Sequence, residues 1–348
     1  MRVRMSVDED FPSLLKRLVE GQSLSAEASL SAFGAIMAGQ VSETRMGAFL
    51  TALALREPTV AEIAGAARAM RAAMRSIEAP PGAIDLCGTG GDGHGTLNVS
   101  TAAAFVVSAC GVPVAKHGNR NMSSRSGAAD VLEALGVRID LSREAAQECL
   151  DETGLCFLFA PAYHPAMKHV APVRKELGFR TVFNLLGPVC NPARVRRQLL
   201  GVFAERWIEP VAGVLAELGA EHAWVVHGRD GMDELTVTTT SSVVEVAGGT
   251  TRRFEITPED LGLVRVPLES VKGSDANYNA EALEQLLRGG GIRAYRDIVM
   301  LNSAAALVVS GTASTIHEGA RLAGAALDDG RALGMLRKLR ATTQRLAA

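Results

Sequence analysis

Two stretches of this sequence obey different periodicities, and the switch between them constrains the fold more than any single motif. From Ile84 onward, short apolar runs at 84–87, 112–115, 155–159, 198–203 and 222–227 alternate with helical spacing at 98–110, 126–136, 142–153 and 208–219. Such alternation predicts a mostly parallel sheet covered on both faces by helices. Residues 1–78 read as helices only. Phe11, Leu14, Leu15, Leu18 and Val19 follow helical spacing, and Thr59-x-x-Glu62 is a capping box ahead of Ile63, Ala66, Met70 and Met74. Pro80-Pro81-Gly82 then breaks the chain. The expected class is α/β: a small helical domain at 1–78 and a larger α/β domain at 79–348. SVVEVAGGTTRRFEI (242–256) predicts a hairpin about Gly248-Gly249, and three helices at 279–288, 295–310 and 312–346 close the chain, the last broken near 328–330. The segment 161–192 interrupts the alternation with long, polar helical spacing. It reads as an excursion that rejoins the N-terminal helices, so the helical domain is discontinuous, taking in part of 161–195.

Composition narrows the class of function. With 47% hydrophobic and 21% charged residues, the 348-residue chain can bury a large core. Aromatics at 4% are too few for a base-stacking platform, and a net charge of −2 gives no pull toward nucleic acid or an anionic membrane. The five cysteines are never spaced C-x-x-C, which argues against a zinc site or disulfide framework and for a reducing cytoplasm. The longest apolar run, 102–110, is far short of the roughly 20 residues that span a bilayer.

The first βα turn, GTGGDG (88–93), contains a G-x-G-x-x-G. The dinucleotide reading also needs an acid about 20 residues on, yet nothing acidic lies between Asp92 and Asp130. The P-loop needs Lys then Ser or Thr, and positions 94 and 95 are His and Gly. Both readings fail. What remains is an anion site, because the turn's amides and the following helix N-terminus face the sheet's C-terminal edge. Ser100, Thr101, Ser123, Ser124, Lys116, Arg120 and Arg125 populate the same acid-free span. An ordinary tight turn with capping hydroxyls is the alternative. A second polar turn at 116–136 lies beside the first, so two cradles suit a ligand carrying phosphates at two places. HGRDGMDELT (227–236) follows another strand and brings Asp233-Glu234. Such a pair is either a solvated acidic loop or, facing phosphates, the seat of a cation such as Mg²⁺.

GTGGD (88–92), N-x-S-T (98–101), KHGNR with SS and GAADVLEALG (116–136), YHPAMKHVAPVRKELGFRTVFNLLGPVCNPA (163–193) and MDE (232–234) together resemble the anthranilate phosphoribosyltransferases. The resemblance covers essentially the whole chain. It implies transfer of the phosphoribosyl group of phosphoribosyl pyrophosphate to anthranilate, with Mg²⁺, two ions per subunit, and a homodimer formed through the helical domain. It implies phosphoribosyl pyrophosphate contacts at Gly88, Gly90, Gly91, Asp92, Thr96, Asn98, Ser100, Thr101, Lys116, Asn119, Ser123 and Ser124. It implies anthranilate contacts at Gly88, His117, Asn119, His164, Arg174 and Pro188, and metal ligands at Ser100, Asp233 and Glu234. His117 and His164 are the candidate proton acceptors; neither is required as a base, since an aromatic amine is already unprotonated at neutral pH. His94 has no assigned role and is expected to face solvent. Two other classes compete: a nucleoside phosphorylase, whose K-x-S-x-R-like element is replaced by KHGNR, and a nucleic-acid-binding relative, which lacks a basic face to work with.

Overall fold

The computed structural model describes residues 10–120 and 126–347. Four helices come first: α1 (Phe11–Val19), α2 (Ala26–Met37), α3 (Glu43–Arg56) and α4 (Val60–Ala73). Each starts because a side chain satisfies an otherwise orphaned amide. Asp10, Ser25, Ser42 and Thr59 accept from the amides of Ser13, Ala28, Arg45 and Glu62. Glu62 returns the favour to Thr59 and is 1% exposed, where it also accepts from the Leu24 amide at 2.8 Å and pairs with Arg56. That one carboxylate ties the α3–α4 corner to the loop before α2.

The alternating part follows as β1 (Ile84–Gly88), α5 (Val99–Ala109), β2 (Val114–Gly118), α6 (Ala128–Ala134), α7 (Arg143–Thr153) and β3 (Leu155–Phe159). After the excursion come β4 (Arg197–Gly201), α11 (Ile208–Glu217), β5 (His222–Gly228), and the hairpin β6 (Ser241–Ala247) and β7 (Thr250–Ile256). The excursion holds α8 (Ala160–Tyr163), a 3₁₀ turn at Pro165–His169, α9 (Ala171–Leu177) and α10 (Phe183–Val189). The chain closes with α12 (Ala276–Leu287), α13 (Arg293–Ser310), α14 (Ile316–Asp328) and α15 (Arg331–Leu346). The expected break near 328–330 therefore separates two helices, with Gly330 at φ 80° between them.

The seven strands lie in the order β3-β2-β1-β4-β5-β6-β7, parallel from β3 to β5 and antiparallel at the hairpin. Connections run outward in one direction from β1 to β3 and in the other from β4 to β7. The strand order thus reverses between β1 and β4, where α/β sheets open a crevice beyond their carboxyl ends. One apolar layer packs α5, α13 and α15 on one face of the sheet. The other packs α11 on the opposite face and continues without interruption into Leu14, Phe33, Phe49 and Ile63 of the bundle. Val170, Val173, Phe183 and Leu186 of the excursion belong to this second layer, and the Phe183 ring meets Phe33 edge-on at 5.7 Å.

Removing Glu62 leaves two amides and a guanidinium without their partner. Glu62→Ala should lower stability by about 3–5 kcal/mol, the range for breaking a buried pair, as read by urea unfolding.

Candidate active site

Gly88 and Gly201 are register partners at the carboxyl ends of β1 and β4, and neither carries a side chain across the gap. The loop after β5 fills it. A Cβ on Gly201 would stand 1.6 Å from the Asp233 carbonyl oxygen, and one on Gly88 would stand 2.3 Å from the Asp233 carboxylate. Both positions therefore need glycine for close approach, whatever their backbone angles. The seated carboxylate accepts from the Gly90 amide at 2.7 Å. Asn302, buried on α13, holds the next turn: its Nδ2 donates to the Leu235 carbonyl at 2.8 Å and its Oδ1 accepts from the Leu235 amide at 3.1 Å.

The glycine turn itself winds through left-handed backbone at Gly90, Gly91, Gly93 and Gly95. It ends at Asn98, which heads α5 without a side-chain cap, leaving first-turn amides open toward the crevice. Asn98 is held from outside: its Oδ1 accepts from Asn279 at 2.9 Å and its carbonyl from the buried Tyr295 hydroxyl at 3.1 Å. Asp233 and Glu234 are both half-buried. Burial, reinforced by Asp92, pushes Asp233 up to about 6. Burial and then Asp233 push Glu234 up to about 8, with Lys116 opposing. These are carboxylates short of positive charge.

Below the crevice lies a buried polar network. Asp85, 0% exposed in β1, accepts from the His117 amide at 3.1 Å and from Asn191 Nδ2 at 2.7 Å; the same Nδ2 donates to the Ala115 carbonyl at 2.8 Å. Burial holds the Asp85 carboxyl above its usual range despite Lys116 nearby. Lys116 Nζ donates to the Leu86 carbonyl at 2.5 Å and to Ser100 Oγ at 3.1 Å.

The sequence-derived residues fall into separate groups. Gly88, Gly90, Asp92, Ser100, Lys116, Asp233 and Glu234 form one connected cluster. His117 and His164 form a second, with ring centroids 5.2 Å apart. Among the described residues nothing hydrogen-bonds His117 Nε2 or either His164 nitrogen, all buried, and burial lowers His117 to about 3 and His164 to about 4. Arg174 is half-buried on α9 with its guanidinium 5.7 Å from the Phe183 centroid; burial alone lowers it, with no carboxylate opposing. Pro188 is buried in α10, its carbonyl accepting from Gln198 at 3.0 Å. Thr101 is buried in α5, Thr96 bridges to Lys272, and Asn119 is exposed with its Oδ1 on the Arg120 amide. Ser123, Ser124 and Arg125 lie outside the described residues.

Three expectations change. Lys116 and His117 are not in a loop after β2 but inside it, because both are satisfied or sheltered there; the strand runs three residues further than its apolar run, to Gly118. Arg120 does not point a free charge at the cradle, since Asp130 and Glu133 engage it. His94 does not face solvent: it is half-buried, close enough that a Cβ on Gly231 would meet its Nε2 at 2.8 Å. Asp85, Asn191, Asn302, Tyr295, Asn279 and Arg180 went unassigned. Only Asp85 carried a signal, as a lone acid within an apolar strand.

Two family models match, described as the glycosyl transferase family helical bundle domain over residues 12–74 and the glycosyl transferase family a/b domain over 80–333. An anthranilate phosphoribosyltransferase of Parvibaculum lavamentivorans is 54% identical over 334 residues, covering 96% of this chain and 98% of the relative. The chain belongs to the anthranilate phosphoribosyltransferase family. The family member of Bradyrhizobium diazoefficiens is 53% identical, covering 95% of this chain and 98% of its own. The solved family structure from Thermus thermophilus superposes with a TM-score of 0.91 at 45% identity, over 95% of this chain and 99% of that one. The Saccharomyces cerevisiae structure in complex with PRPP and Mg gives 0.88 at 28% identity, over 96% and 98%. Among the described residues no helix is long and apolar enough to cross a membrane.

Gly201→Ala should unseat the acidic loop. Stability should fall by about 1–3 kcal/mol, and hydrogen exchange should accelerate at the Gly90 amide, which loses its Asp233 acceptor.

Proposed function

We propose that the chain transfers the phosphoribosyl group of phosphoribosyl pyrophosphate to the amine of anthranilate and releases pyrophosphate, a step of tryptophan biosynthesis. The observation that carries this reading is the meeting, at one switch point, of a left-handed glycine turn, an uncapped helix N-terminus and a cation-starved carboxylate pair. Donor amides and acids facing one crevice make sense for a polyphosphate that arrives with a divalent ion.

In this reading Gly88, Gly90, Gly91, Asp92, Thr96 and the first turn of α5, from Asn98 through Ser100 to Thr101, receive the pyrophosphate. Lys116 and Asn119, with Ser123 and Ser124, serve the phosphoribosyl end. The donor set at Ser100, Asp233 and Glu234 fits a hard cation, because two carboxylates and a hydroxyl leave the remaining positions to phosphate oxygens and water. Among the described residues no group of three or more acidic, histidine or cysteine ligands stands ready; in this reading substrate oxygens complete the shell. We assign two Mg²⁺ ions per subunit. Bound there, Mg²⁺ neutralises the diphosphate and the charge it carries away.

The other substrate occupies the histidine side. Among the described residues Arg174 has no carboxylate partner to oppose its burial, and its planar fork suits the carboxylate of anthranilate. Gly88, Asn119 and Pro188 bound the channel. The amine attacks C1 of the ribose as the C1–O bond to pyrophosphate opens, through an oxocarbenium-like transition state. The protein contributes chiefly by holding the two reactants in line, which is worth up to about 7–11 kcal/mol. Burial keeps His117 and His164 neutral at physiological pH, so each ring offers a lone pair. A protonated secondary aryl amine is acidic enough to pass its proton to so weak a base. We also read residues 1–78 with part of 161–195 as one domain and 79–348 as the other. Exposed Val19, Leu30 and Leu55 on the bundle support a homodimer through it.

Loss of anthranilate fluorescence on adding phosphoribosyl pyrophosphate and Mg²⁺ tests the activity; unchanged fluorescence rejects it. Arg174→Ala should raise the anthranilate KM about 10- to 100-fold, the span of a lost hydrogen bond to a charged group, with the KM for phosphoribosyl pyrophosphate little changed. Asp233→Asn should move the Mg²⁺ concentration for half-maximal rate upward by about 10-fold or more. Because burial keeps both histidines neutral until the pH falls toward about 4, kcat at saturating substrates and Mg²⁺ should show no histidine limb near the ordinary value of about 6.5. A limb there would show that burial does not hold these histidines neutral down to about 4.

A further inference from the structure

We propose that Arg180 is a phosphate-positioning residue, closing onto the glycine turn from the excursion and engaging the pyrophosphate held there. This rests on the reading of the turn as the pyrophosphate cradle.

Of the cations that the sequence placed around the turn, the two among the described residues already have protein partners. Lys116 lies buried beneath it with Nζ on the Leu86 carbonyl and Ser100 Oγ, and Arg120 is bound by Asp130 and Glu133. Arg180 is different. It is exposed, it comes from the loop between α9 and α10, and it reaches across the crevice to donate to the Gly91 carbonyl. Among the described residues no carboxylate pairs with it. Its guanidinium lies 4.1 Å from the Phe203 ring centroid. That ring is anchored to the turn itself, since the Phe203 amide donates to Thr89 Oγ1 at 2.9 Å. The guanidinium lies directly on the turn: even a Cβ on Gly91 would be in ordinary contact with Arg180 Nη2, at 3.4 Å.

A guanidinium stacked on an aromatic face keeps its edge free for bidentate contact with phosphate. A single neutral carbonyl uses little of that capacity. When the diphosphate occupies the turn, its oxygens offer a far stronger partner within reach of the same fork. Arg180 then joins the pyrophosphate end of one substrate to the segment that carries His164 and Arg174, so filling the cradle would settle the anthranilate side.

Calorimetric titration with pyrophosphate and Mg²⁺ separates the possibilities. Arg180→Ala should bind pyrophosphate about 10- to 100-fold more weakly, raise the KM for phosphoribosyl pyrophosphate, and leave thermal stability unchanged. Arg180→Lys keeps the charge without the fork and should recover part of the loss. Unchanged pyrophosphate affinity in Arg180→Ala, beside wild-type protein that binds it, overturns this proposal and leaves the cradle standing. A loss that merely follows a drop in melting temperature also overturns it. Wild-type protein that does not bind pyrophosphate rejects the cradle reading itself.

Discussion

Everything at the candidate site depends on two glycines facing each other at the ends of β1 and β4. The strand order reverses there, which opens a crevice, and the absence of side chains at Gly88 and Gly201 lets the Asp233 loop sink into it. Without that approach the acids would stand off in solvent, at ordinary affinity for protons. Seated, Asp233 meets the Gly90 amide and both carboxylates lose water faster than they gain positive charge. The chemistry of the crevice is thus set by a packing contact.

Buried polar groups make that arrangement rigid. Asp85 would be costly in β1 without partners, and its two oxygens are taken by the His117 amide and Asn191. Asn191 lies just beyond α10, so the network pins the end of the excursion to the sheet's centre. Asn302 does the equivalent for the acidic loop from α13, satisfying both backbone groups of Leu235. Asn279 and Tyr295 fix the head of α5. All of these anchors but Asn279, which holds the Asn98 side chain, act on backbone, which explains why so few side chains in the crevice are needed to hold their neighbours.

The elements were largely legible because their signals are local. The strand at 155–159 coincides with β3, the hairpin turns at Gly248-Gly249, and the break near 328–330 parts α14 from α15. At β2, two polar residues continue the strand because distant atoms satisfy Lys116 and burial beside His164 shelters His117. Periodicity sees polarity but not partners. The same blindness left Arg120 as a free cation and His94 as a solvent-facing side chain.

From the sequence alone came the α/β class, the separation of a helical start from an alternating remainder, and the exclusion of the dinucleotide and P-loop readings. Those follow from residue order, because periodicity and motif spacing are properties of neighbouring positions. Tertiary structure decided which residues meet. It set Asp233 on Gly90 across 143 positions of the chain, brought His117 of β2 to His164 of the excursion, and laid Arg180 on Gly91. Such pairings depend on sheet order and on where the chain re-enters the core. A close approach between backbones leaves no mark in sequence except a glycine, and a glycine alone does not name its partner.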